Sequence, residues 1–69
     1  MITVQLDQIL EERGITLAEL SRRIDITPAN LSILKNGRAK AIRFTTLAAI
    51  CAELKCQPGD ILQFTSPEA

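Results

Sequence analysis

The sequence predicts a compact all-α domain of four to five short helices. Apolar residues recur three and four positions apart in several successive segments, which is the signature of helices with one buried face. Most of those segments carry their own start or stop signal, so the chain divides itself into pieces. None of the pieces is long enough to be a stable helix alone, so each must be held by packing against the others.

In the first segment Leu6, Ile9 and Leu10 share a face, Asp7, Glu11 and Glu12 lie opposite, and Gly14 is placed to end the helix. The second opens on "TLAE". Thr16 can cap the backbone while Glu19 reaches back to it as a capping box. Leu17, Leu20, Ser21 and Ile24 then form an inward stripe, and Glu19 and Arg23 are spaced for an i,i+4 ion pair. The third starts after Thr27, with Pro28 at the first helical position, where its missing N–H is no loss, and stops at Asn36-Gly37. The fourth runs from about Phe44 to Lys55 and is expected to bury Phe44, Leu47, Ile50, Cys51 and Leu54. A final turn opens with Pro58 and buries Ile61 and Leu62. Ile2, Val4 and Leu6 alternate, as do Leu62 and Phe64, so two extended segments could pair there. Both runs fall short of an ordinary strand, and the predicted class stays all-α.

The chain has 69 residues, one domain's worth, and a core of this size is marginal without efficient packing or a partner subunit. No apolar run could span a bilayer, and "MITVQLDQIL" lacks a signal peptide's basic start, so a cytoplasmic protein without membrane association is expected. There is no histidine or tyrosine, and the two cysteines, Cys51 and Cys56, have neither zinc-ligand company nor an activating partner. No enzyme, metal, cofactor or small-molecule ligand is expected, and both cysteines read as structural thiols. The tail at 65–69 is expected to fray.

The second and third helices are separated only by Asp25, Ile26 and Thr27. Two short helices joined by so tight a turn form a helix-turn-helix, here spanning about residues 16–36. Leu20, Ser21 and Ile24 face inward from its first helix, with a small residue at 21 where the helices cross, and Leu31 and Leu34 face inward from its second. With these residues in place, the chain from Val4 to Leu62 resembles the lambda-repressor/Cro-like (Xre-type) helix-turn-helix family. "ANLSILKNGRAKAIRF", "TLAAICAEL" and "CQPGDIL" are especially similar to a group of small single-domain transcriptional regulators within it. The resemblance implies a lambda-repressor-like bundle of five helices that binds double-stranded DNA, often as a homodimer on a palindromic operator.

At about 100° per residue, Leu31 and Leu34 point to the core while Ala29, Ser32, Ile33 and Asn36 point away, with Pro28 and Lys35 at one edge and Asn30 at the other. In the family the residues matching 28, 29, 32 and 33 tend to read base edges and are frequently polar; here they are Pro28, Ala29, Ser32 and Ile33. No glutamine is there for adenine and no arginine for guanine. Ser32 remains as a hydrogen-bonding group, Ala29 and Ile33 suit thymine methyls, and the expected readout is modest and biased to A·T-containing sites. Asp25 replaces a glycine frequent in that turn, and aspartate tolerates the left-handed backbone the turn requires.

Lys35, Arg38, Lys40 and Arg43 fall within nine residues free of acid, although the protein has eight basic and eight acidic residues. The resemblance places this loop beside the DNA backbone, so these cations are expected on phosphates. The helix starts at Thr16 and Thr27 add backbone donors and a positive dipole end. Arg13 and Lys55 read as surface charges. Two functions stay open: a DNA-binding transcriptional regulator using Pro28, Ala29, Ser32, Ile33 and Asn36 with the basic loop, or an antirepressor- or antitoxin-like protein-interaction module docking through the apolar Pro28, Ala29 and Ile33 face. The outward side of the fourth helix, Thr45, Ala48, Ala49 and Ala52, and the neighbourhood of Phe64 are the candidate dimer surfaces.

Overall fold

The computed structural model describes residues 1–66. Its elements run β1 (Ile2–Val4), α1 (Leu6–Arg13), α2 (Leu17–Ile24), α3 (Pro28–Lys35), α4 (Phe44–Leu54), α5 (Pro58–Ile61) and β2 (Leu62–Phe64). The five helices match the expected bundle, but the two strands correct the all-α class. They pair antiparallel, with Ile2 opposite Phe64 and Val4 opposite Leu62. The alternation seen in the sequence is that of a real ladder, and its strands survive at three residues each because α1 and α5 hold them together: Gln5 N–H donates to the Ile61 carbonyl at 2.6 Å. Leu62 consequently belongs to β2 and is only half buried, instead of completing the last helix. Thr65, placed in the frayed tail, exchanges backbone bonds with Met1. Residues 67–69 of that tail lie outside the described residues.

The core gathers one or more residues from every helix. Leu6, Leu20, Leu31, Ile50, Leu54 and Ile61 are its largest fully buried side chains, each contributing about 1.5–3 kcal/mol through removal from water. Ser21 is the one buried polar side chain among the described residues. Its small size lets α2 and α3 cross closely, and its hydroxyl donates to the Ile26 carbonyl, so the burial leaves no polar atom unpaired.

α1 to α4 stop by the same device. Gly14 (φ 68°), Asp25 (φ 57°), Gly37 (φ 71°) and Lys55 (φ 53°) each turn left-handed. The amide one residue beyond then donates back into the helix: Ile15 to Leu10 at 3.2 Å, Ile26 to Ser21 at 3.2 Å, Arg38 to Ile33 at 3.0 Å and Cys56 to Cys51 at 3.1 Å. This closure satisfies carbonyls that the helix leaves without partners and reverses the chain within about three residues. Asp25 takes the expected left-handed conformation without glycine's help.

Two side chains depart from their expected places. Phe44, assigned to the core, is 87% exposed because it is the first residue of α4 and no element packs over that end of the stripe. Cys51 is half buried rather than central. Arg13, read as a surface charge, instead braces the far end of α4: its Nε donates to the Leu54 carbonyl at 2.7 Å and an Nη to that of Lys55 at 3.3 Å. A cation at a helix C-terminus is where the dipole favours it.

Candidate nucleic-acid interface

The helix-turn-helix positions its second helix through three local features. Thr27 is extended (φ −64°, ψ 147°), and its Oγ1 accepts from the Asn30 N–H at 3.2 Å. Pro28 follows at the first helical position. With Pro28 lacking an N–H and Asn30 capped, the Ala29 N–H is one of the donors to which the helix itself offers no acceptor. At Thr16 the hydroxyl accepts from the Glu19 N–H at 3.1 Å, but only that half of the predicted capping box forms. The Glu19 carboxylate turns along the helix to Arg23 at 2.8 Å, the expected i,i+4 pair, and Arg23 also reaches Glu53 of α4 at 3.1 Å. These two acids, with Glu19 the larger influence, hold the Arg23 guanidinium above its ordinary pKa, and α2 is thereby tied to α4.

The outward face of α3 is as the helical wheel arranges it. Leu31 and Leu34 are buried, while Pro28, Ala29 and Asn36 are exposed and Ser32 is half buried. Ile33 is 46% exposed, a large apolar side chain left facing outward. Asn36 Nδ2 donates to Ser32 Oγ at 3.3 Å, so the polar groups of the face form one linked pair. Each retains further capacity, the serine hydroxyl one donor hydrogen and the amide its carbonyl.

An open groove of about 630 Å³ runs between α3 and the loop that follows it. Thr27, Asn30 and Ile33 line it together with Arg38, Lys40, Arg43 and Thr46 of α4, and Asp25 of the turn is the one acid in the lining. Ile26, Leu31, Leu34, Ala39 and Ile42 supply apolar lining. Arg38, Lys40 and Arg43 are exposed and form no ion pair among the described residues. The predicted phosphate residues therefore divide. Thr27, Arg38, Lys40 and Arg43 come together on one groove, whereas Thr16 stands apart at the start of α2. Lys35 turns to α1, where its ammonium lies 3.4 Å from Asp7 Oδ1.

Sequence reasoning missed Asp7 and Thr46. The first is a partner through space of a residue on another helix, and the second belongs to a helix whose neighbouring positions look like core or helix-forming surface. Among the described residues no group of three or more metal-ligating side chains assembles, and no helix is long and apolar enough to cross a membrane. The cysteines stay free, with burial and the neighbouring Cys51 thiol pushing the Cys56 thiol above its ordinary pKa.

The tight helix-turn-helix agrees with what comparison with known proteins finds. The sequence model for the Cro/C1-type HTH DNA-binding domain matches residues 5–67. A similar protein from Bacillus subtilis (strain 168), named as the uncharacterised HTH-type transcriptional regulator YozG, is 58% identical over 67 residues, covering 97% of this chain and 80% of the relative.

Proposed function

The chain belongs to the Cro/C1-type helix-turn-helix DNA-binding family, and from that premise we propose that it regulates transcription by seating α3 in a DNA major groove while Arg38, Lys40 and Arg43 clasp the flanking phosphates. The transcriptional role is supported by the relative named as a regulator. The residue-level reading is carried by one observation: three cations that form no ion pair among the described residues share a groove with the start and outward face of α3. Unpaired cations have no internal ion pair to give up on meeting a phosphate, and each contact releases condensed counterions.

Base reading falls to the linked Ser32 and Asn36, with Ala29 and Ile33 against thymine methyls. Thr27 and the open Ala29 N–H give the helix start a donor for a phosphate. A face with one polar pair discriminates little by itself, so we take the working form to be a homodimer in the cytoplasm that reads two half-sites and carries no cofactor, effector or enzymatic activity.

Selection of a random duplex library by the purified protein tests this reading, with binding repeated at low and physiological salt. Enrichment of an A·T-containing palindrome, bound with a steep loss of affinity as salt rises, is expected. Weak binding that enriches no sequence and vanishes at physiological salt would reduce the basic groove to a nonspecific patch. The exposed Ile33 face would then become a protein contact.

A further inference from the structure

Lys35 differs from the three cations of the groove because an acid already occupies it. Its ammonium is 3.4 Å from Asp7 Oδ1, with the Lys35 side chain 34% and the Asp7 side chain 68% exposed. Asp7 lies in the first turn of α1 and has no other hydrogen-bond or ion-pair partner among the described residues. Lys35 closes the last turn of α3, so this contact joins the N-terminal helix to the edge of the DNA-facing surface.

We propose that Asp7 sets the protein's affinity for DNA by holding Lys35 in an internal ion pair that must open before Lys35 can reach a phosphate. The proposal rests on the DNA-binding reading of α3 and the loop after it. An ion pair this open to water contributes little to folding, so its place on the rim has no strong structural cause. Its effect on binding is a different matter. Arg38, Lys40 and Arg43 gain a phosphate without giving up an ion pair found among the described residues, whereas Lys35 exchanges one anion for another and returns only the difference. Asp7 is thus a positioning residue that acts through Lys35, without touching DNA itself.

The test is a double-mutant cycle of Asp7→Asn and Lys35→Met, titrated against a fluorescent duplex carrying the site that the wild type enriches. Thermal unfolding of each variant verifies that the fold is kept. Asp7→Asn is expected to tighten binding about 3- to 5-fold, the upper part of the roughly 1.4- to 5-fold range an exposed ion pair can supply. In the Lys35→Met background the same substitution should change affinity less than about 2-fold, because the lysine it releases is gone. An unchanged affinity in Asp7→Asn overturns the proposal. So does equal tightening in both backgrounds, which would make Asp7 a direct repeller of DNA. A wild type that binds no duplex removes the DNA reading and this inference with it, whereas normal wild-type binding with an unresponsive Asp7→Asn removes the inference alone.

Discussion

Four helices end on a left-handed residue, yet only Gly14 and Gly37 are glycine, so the backbone's preference can be measured in both directions within one molecule. A Cβ added at Gly37 meets nothing within 4 Å, and Gly37→Ala therefore introduces no clash with the rest of the fold. What it introduces is the local repulsion of a left-handed alanine, roughly 1–2 kcal/mol. Against this, alanine restricts the unfolded chain and returns roughly 0.4–1 kcal/mol. The mid-range difference is a net loss of about 0.8 kcal/mol. Lys55→Gly reverses both effects at φ 53° and ψ 53°. Its side chain is in no ion pair among the described residues, and the carbonyl that accepts from Arg13 is backbone and stays. A gain of about 0.8 kcal/mol is expected. In a domain this small 1 kcal/mol moves Tm by about 4–8 °C, so the two variants should melt roughly 6–13 °C apart on either side of the wild type. Urea unfolding with an unchanged m-value would place the effect in stability rather than in compactness. A Gly37→Ala protein as stable as the wild type, or a destabilised Lys55→Gly, would refute the claim that backbone handedness governs these helix ends.

Three further outcomes follow from the interface and the core. Replacing Arg38 and Lys40 together by glutamine should flatten the dependence of log K on log salt by roughly 1.8, at about 0.9 per phosphate, while the preferred sequence stays the same; a shifted sequence preference would assign these residues to bases. Arg13→Met should lower stability by about 1–3 kcal/mol, measured by urea unfolding, because the partly buried carbonyl of Leu54 loses its donor; an unaffected midpoint would mean that water replaces the guanidinium at no penalty. Because the Cys56 thiol is raised in the folded state, the unfolded chain loses that proton first as pH rises. Stability is then full below the ordinary thiol range near pH about 8.5 and declines above it. In Cys56→Ser that part of the alkaline decline should be missing from unfolding measured between neutral and alkaline pH.

The features legible in the sequence are those that local stereochemistry dictates. Thr27 followed by Pro28 starts α3, Gly37 stops it, and the three residues from Asp25 to Thr27 leave room for nothing but a tight turn. Spacing alone also sorted Leu31 and Leu34 from Ser32, Ile33 and Asn36. What was hidden depends on pairs distant along the chain. Arg13 looked like any surface cation until α4 placed its last carbonyls beside it, and Lys35 resembled its neighbours until α1 brought Asp7 within reach. Periodicity assigned Phe44 to the apolar stripe of α4, which is correct as a direction, but a stripe does not reveal where its cover ends. The strands illustrate the same limit: three residues of alternation are too few to predict a ladder unless the partner strand is known to be adjacent.

That ladder also orders events in time. Because Ile2 pairs with Phe64 and Val4 with Leu62, the contact spans all five helices, and closing so wide a loop costs more entropy than any neighbouring-helix contact in the fold. A ribosome delivers β1 first and β2 last. The turn between α2 and α3 needs only residues that emerge together, so the helix-turn-helix can assemble while β1 still waits for its partner. The sheet then latches a body already built, and a chain halted before Leu62 would carry α3 on a scaffold without its clasp.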